Sequence, residues 1–186
     1  MGHFAGIGDT EVYEQGIWLE PGGAYDVEVI DMLVYLSRKK DLLFILEMKI
    51  LSSSSDKHGV GSKATWMAKL GTDSTFPNIK KMFIGMLNIN MRDPDVKKEF
   101  NDGIEAILEE STEERKDENG KPRYEKDEAG EFVLDDKEEK ILETNPLMGE
   151  KIHVDTHTTT MDKGGDFTVH TWSPYEEKEQ EDNIPY

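Results

Sequence analysis

The 186-residue sequence predicts a mainly β protein with two helices and a separate acidic stretch. Three observations predict this class. Several segments of strand length alternate between apolar and polar residues, two others have the apolar spacing of amphipathic helices, and Glu, Asp and Lys dominate one region between a helix and a strand. The length suits one domain with appendages: an arm over 1–20, a domain over 21–175 and an acidic tail over 176–186.

The first two strands are expected to form an antiparallel hairpin. Pro21-Gly22-Gly23 is a turn signal that leads into a strand over 24–38, whose length indicates a bend or bulge. The polar residues 37–41 form the next turn, and the alternating residues 42–51 return as the second strand.

Two helices are predicted after a third strand over 62–70. Ser74 or Thr75 can cap the first helix, and Pro77 suits its first turn. Asp93, which is followed by proline and a second aspartate, marks the start of the second helix. Both segments carry apolar residues at helical spacing, so each is expected to bury one face.

The last two strands are predicted over 151–160 and 166–172, with a turn at 162–165. A helix between the third and fourth of five strands is the arrangement of the OB-fold, a small Greek-key barrel that binds oligonucleotides and oligosaccharides. We therefore predict a five-stranded OB-fold barrel with an additional helix and an acidic insertion.

The acidic insertion is predicted over 111–144. Its composition favours partial disorder, although the short apolar groups Phe132-Val133-Leu134 and Ile141-Leu142 allow a small hairpin or partial docking. The sequence assigns no role to this segment.

The net charge of −18 is unevenly distributed. Residues 1–100 carry 12 Lys and Arg against 14 Asp and Glu, residues 101–145 carry 7 against 17, and residues 146–186 carry 3 against 9. The first half is close to neutral, so a local basic face remains possible there. The net charge disfavours a binding mode that uses the electrostatics of the whole surface, and it does not rule out DNA binding.

The absence of cysteine excludes disulfides and cysteine-ligated zinc. No apolar run approaches the roughly 20 residues that span a bilayer, and no signal peptide is recognisable. These features lead us to expect a soluble cytoplasmic protein.

The final residues combine acids with an apolar end. Glu181-Asp182-Asn183 precedes Ile184-Pro185-Tyr186, and this hexapeptide resembles the acidic end of bacterial and phage single-stranded DNA-binding proteins, which finishes in Asp-Asp-Asp-Ile-Pro-Phe. Asn183 replaces an acid and Tyr186 replaces phenylalanine. A solubilising tail without a partner is the alternative interpretation.

The resemblance to the phage-type OB-fold single-stranded DNA-binding proteins extends, as a layout, over residues 20–175. It implies coating of single strands during replication, recombination or repair, with no catalysis, no cofactor and no bound metal. It also implies that the tail recruits replication or recombination proteins, and a homo-oligomer is possible. The residues that would bind such a partner are Glu181, Asp182, Ile184, Pro185 and Tyr186.

Binding of single strands without sequence preference needs aromatic rings for the bases and cations for the phosphates. Trp66 is a stacking candidate because Lys63 and Lys69 flank it, and core packing is the alternative; Trp172 is a stacking candidate or closes the barrel end. The candidate residues for single-stranded DNA are Tyr35, Arg38, Lys39, Lys49, Lys57, Lys63, Trp66, Lys69, Lys151, His153 and Trp172.

Two alternatives to DNA binding remain open. His153, Asp155 and His157 alternate on one strand, and with His170 on the next strand they suggest a metal-dependent β-barrel hydrolase. The acidic composition also fits a DNA mimic or interaction protein that occupies a partner's DNA site. Turnover that is sensitive to EDTA would support the first alternative. Competition with DNA for a partner, without binding to DNA, would support the second.

Overall fold

The structure, a computed structural model, describes residues 18–116, 121–160, 164 and 166–177. The predicted order of elements is confirmed in these residues: three strands, two helices and two strands. They are β1 (Ala24–Leu36), β2 (Leu42–Ser53), β3 (Lys63–Lys69), α1 (Thr75–Met86), α2 (Pro94–Thr112), β4 (Lys151–Thr160) and β5 (Asp166–Pro174). None of the described helices is long and apolar enough to cross a membrane.

The five strands form one antiparallel sheet in the order β3-β2-β1-β4-β5. The predicted mainly β architecture with two helices is confirmed, and the sheet curls like a barrel but stays open. The edge strands β3 and β5 meet through side chains and not through a backbone ladder, with the rings of Trp66 and Trp172 at 5.3 Å between centroids.

Strand β1 is long, and two bulges bend it. Its register against β2 shifts between Asp26 and Val27 and again between Val29 and Asp31. The expected bend is therefore confirmed, and it curves the sheet around a core. The strand ends at Leu36, two residues earlier than predicted.

One face of the sheet, called here the inner face, carries the core. Its fully buried side chains include Tyr25, Phe44 and Met48, and Phe83 of α1 joins the same cluster. The opposite, outer face carries the polar residues that alternate with these. Strand alternation thus sorts each strand into a core side and a solvent side.

Helix α1 packs against β5 and β4. Ser74 occupies the N-cap position without a side-chain hydrogen bond, and the helix ends at Met86, earlier than predicted. The backbone of Asn88, with φ at +49°, lies in the left-handed region and breaks the helical path.

Helix α2 starts where the sequence predicts. The Asp93 carboxylate accepts hydrogen bonds from the N–H groups of Asp95 and Val96, and Pro94 stands in the first turn. Since α2 continues to Thr112, the acidic insertion begins slightly later than position 111. Its described part, 121–144, forms short hairpins rather than an irregular coil.

Candidate nucleic-acid interface

The outer face of β1, β2 and β3 brings together the candidate cations and one candidate ring. The strand registers align facing residues in rows that cross the sheet. These rows are His153, Asp26 and Ser52; Lys151, Glu28, Lys49 and Lys63; Asp31, Glu47 and Thr65; Leu33, Ile45 and Met67; and Tyr35, Leu43 and Lys69.

The second row is the most cationic. Lys49 and Lys63 lie directly opposite each other on β2 and β3, and both are exposed. Among the described residues neither has an ion-pair partner. Glu28 lies between Lys49 and Lys151 in the same row. Like charges that face each other across strands are destabilising, so an anion bound next to both lysines would relieve their repulsion.

An apolar band lies two rows away. Leu33, Ile45 and Met67 are half-buried in the middle of the band. Tyr35 at its edge is 49 % exposed, which leaves much of its ring open to solvent. Cations and an accessible ring on one face are the elements that single-strand binding requires.

The β1–β2 turn extends this face with further cations. Arg38 and Lys39 are exposed in the turn. Lys69 at the end of β3 forms an ion pair with Asp41 at 2.6 Å. Lys57 lies on the β2–β3 loop, where its Nζ contacts Glu20 at 2.8 Å, and this hydrogen bond raises the pKa of Lys57.

Trp66 and Trp172 point away from the outer face. They are 6 % and 9 % exposed. Trp66 packs edge to face against Phe44, His170 and Trp172, and the ring of His170 stacks on Trp172. Their burial corrects the expectation that Trp66 offers a ring to bases beside Lys63. Alternation explains the outcome, because Lys63 points outward and Trp66 therefore points into the core.

A groove of about 460 Å³ runs along the seam between β3 and β5. Trp18, 54 % exposed, and Phe167, 44 % exposed, line it together with edges of the buried tryptophans. The indole N–H of Trp172 is buried without a hydrogen-bond partner in the described residues. The sequence did not identify Trp18 and Phe167 as candidate binding residues. They share a site only because β5 approaches β3 in the fold.

His153 belongs to a polar cluster on the outer face. Its Nδ1 lies 2.6 Å from the Asp26 carboxylate, which also accepts a hydrogen bond from the Ser52 hydroxyl. Asp26 is buried, so these contacts satisfy a carboxylate that the sheet removes from water. His153 therefore has a structural partner on β1 at the edge of the candidate interface.

The metal-site alternative is not supported by the geometry. The described residues contain no group of three His, Asp or Glu side chains that could hold a metal ion. His170 pairs with Thr156, so it lies on the inner face, whereas His153, Asp155 and His157 lie on the outer face. The four residues do not converge.

His170 gives the protein a specific pH dependence. Burial lowers its pKa to about 4, and the charge of nearby His157 lowers it further. A histidine whose pKa is lower in the folded state than in the unfolded state contributes its full stabilisation at pH values above its ordinary pKa near 6.5. This contribution to the unfolding free energy is lost as the pH falls toward 4. We expect the wild type to lose on the order of 3 kcal/mol more unfolding free energy than His170→Phe between pH 7 and pH 4.

Urea denaturation of the two proteins at several pH values measures this difference. Phenylalanine keeps a ring against Trp172 but cannot bind a proton, so carboxylate titrations are shared by both proteins and cancel. Parallel stability curves would contradict the neutral state of the half-buried His170.

The tail lies outside the described residues from position 178 onward. The predicted partner-binding residues Glu181, Asp182, Ile184, Pro185 and Tyr186 therefore remain a prediction from sequence. Tyr175, the residue after β5, contacts the Lys151 ammonium through its ring at 5.2 Å.

No protein-family model matches this sequence, and no curated protein is detectably similar to it. The function is therefore inferred from the residues and from the geometry of the outer face.

Proposed function

We propose that this protein binds single-stranded DNA through the outer face of β1, β2 and β3. It coats single strands without sequence preference during replication, recombination or repair, and its acidic tail recruits partner proteins. The observation that carries the proposal is the facing pair Lys49 and Lys63, neither of which forms an ion pair within the described residues although the chain has a net charge of −18.

The fold supports an OB-type arrangement. Helix α1 lies between β3 and β4 in the chain, and β3 and β5 approach through Trp66 and Trp172. In OB-folds the second and third strands and the loops after the first and fourth strands bind oligonucleotides. The Lys49 and Lys63 row lies on the corresponding strands, and Arg38 and Lys39 lie on the first of these loops.

In the proposed mode, phosphates follow the lysine row and one or more bases stack on exposed rings. Tyr35 on the outer face is the main platform, and Trp18 and Phe167 at the seam are further ones. The cations are few, so affinity is expected to fall with added salt but with a shallow slope. The surrounding acid disfavours binding of the more highly charged duplex.

The proposal is tested by titrating a labelled oligo-dT with the protein and following anisotropy at several salt concentrations. Saturable binding of oligo-dT, weaker binding of a duplex of equal length and no turnover are the expected results. If the protein ignores oligo-dT but displaces DNA from another protein, the DNA-mimic alternative replaces the proposal.

Tyr35→Ala is expected to weaken oligo-dT binding about tenfold or more, since a stacked base contributes about 1–3 kcal/mol. Tyr35→Phe keeps the ring and should bind within about twofold of wild type, because stacking needs no hydroxyl group. Anisotropy titrations of the three proteins measure the effect. Equal losses in the two variants would exclude stacking on this ring.

A further inference from the structure

The acidic insertion contains a small ordered unit with an internal repeat. Its three central residues, Glu125, Val133 and Ile141, are eight positions apart. Their backbones form a closed cycle: Glu125 donates to Ile141 at 2.9 Å, Val133 donates to Glu125 at 3.0 Å, and Ile141 donates to Val133 at 3.0 Å. Three short segments therefore meet around one axis.

Two tight turns hold these segments together. Asp127 accepts hydrogen bonds from the N–H groups of Ala129 and Glu131, and Asp135 repeats the pattern one unit later. Much of the acid of the insertion thus lies at the turns. The remaining side chains of the unit can therefore form a surface that is not acidic.

One surface of this unit combines rings with cations. We call it the ring–lysine face and define it by Tyr124, Lys126, Phe132 and Lys140. The two rings are 6.2 Å apart edge to face and 40 % and 42 % exposed. The Lys140 ammonium lies 3.6 Å from the Phe132 centroid, and the Lys126 ammonium lies 5.2 Å from it.

The lysines of this face are not neutralised locally. Neither Lys126 nor Lys140 has an ion-pair partner among the described residues, although the insertion is rich in carboxylates. Arg123 beside them is engaged with Glu113 and Glu143 at 2.9 and 2.7 Å. An open cavity of about 870 Å³ borders the face. The chemistry fits a ligand that carries carboxylates next to apolar groups.

The C-terminal segment leaves the sheet at the end of β5, beside the start of β4. Pro174 at the end of β5 pairs with Ile152 at the start of β4, and Tyr175 contacts Lys151. Strand β4 starts seven positions after Thr144, the last residue of the insertion. A segment of nine residues such as 178–186 can span at most roughly 30 Å.

We propose that the ring–lysine face binds the chain's own C-terminal segment, residues 178–186. Glu179, Glu181 and Asp182 would meet the two ammonium groups, and the apolar Ile184-Pro185-Tyr186 would pack against the exposed rings. The tether raises the effective concentration of the segment to the millimolar range, so a weak intrinsic affinity suffices. The insertion then sequesters the tail from partner proteins. This inference does not depend on DNA binding.

The absence of cysteine gives a direct test on the full chain. Asn183→Cys accepts a single nitroxide label, and paramagnetic broadening is measured in the amide NMR spectrum without DNA. We expect loss of signal at the amides of 124–126, 132–134 and 140–142. Loss confined to the outer face around Lys49 and Lys63, or no localised loss, would overturn the proposal.

Charge variants separate specific docking from chance proximity. Lys126→Glu combined with Lys140→Glu should restore the broadened signals, whereas Lys137→Glu, in a turn of the same insertion, should leave the broadening in place. Added salt should weaken it. A mixture of isotope-labelled protein without nitroxide and unlabelled protein with nitroxide detects docking between copies; broadening of equal size in that mixture would overturn the intramolecular claim.

Discussion

A chain carrying Lys49→Glu and Lys63→Glu is expected to bind oligo-dT on the order of 100-fold more weakly than wild type. A hydrogen bond to a charged group contributes about 1.5–3 kcal/mol, and each 1.4 kcal/mol is tenfold in affinity. Reversal also places two carboxylates opposite each other where phosphates are proposed to lie. Anisotropy titrations at low salt measure the loss, and the salt dependence should become flatter.

The matched control is Lys97→Glu with Lys98→Glu. These two lysines are exposed on α2, outside the proposed interface, and their replacement changes the net charge of the protein by the same amount. A comparable loss in both double variants would mean that overall charge, and not the outer face, governs affinity. Thermal unfolding of both variants verifies that neither change disrupts the sheet.

Much of the fold could be predicted because local signals agree with one another. Asp93 and Pro94 define the start of α2 by their chemistry, and alternation defines β4 within its observed bounds. The open sheet was not predictable in the same way. Closure depends on whether β3 and β5 come within backbone distance, and at Trp66 and Trp172 bulky rings occupy that space.

The candidate site was harder to predict because it depends on register. The residues of the lysine row are visible in the sequence, but the pairing of Lys49 with Lys63 depends on the bulges of β1 and on the length of the β2–β3 loop. Tyr35 was among the candidates, yet its exposure results from its place near the end of a long hairpin. The prediction for Trp66 differs from the structure. The flanking lysines suggested that its ring is exposed to solvent, whereas strand alternation places the ring in the core.

The acidic insertion shows that composition alone does not predict whether a segment is ordered. Its charge favours disorder, but aspartates that accept turn hydrogen bonds and the left-handed backbone of Gly130, with φ at +83°, favour tight hairpins. The eight-residue spacing of Glu125, Val133 and Ile141 joins three unlike residues, so it does not stand out in the sequence. It gains meaning only through the cycle of hydrogen bonds that joins them.

A close approach between α1 and β5 lies beside the seam that carries Trp172. Gly85 lies near the end of α1, and a Cβ added there would be 3.1 Å from the backbone nitrogen of Ser173 and 3.2 Å from the carbonyl carbon of Trp172. The helix can lie this close to β5 because glycine has no side chain. The same contact holds β5 where its indole meets Trp66.

Gly85→Val is therefore expected to lower the unfolding free energy by about 2 kcal/mol or more, since overpacking costs about 1–3 kcal/mol and the obstacle is backbone. The corresponding fall in melting temperature is roughly 4–8 °C. Gly103→Val is the matched control, because a Cβ at Gly103 in α2 meets no atom within 4 Å, and valine there should leave stability nearly unchanged. Tryptophan emission should shift to longer wavelength in Gly85→Val alone as β5 moves from β3. Equal melting temperatures for the two variants would show that α1 does not set the position of β5.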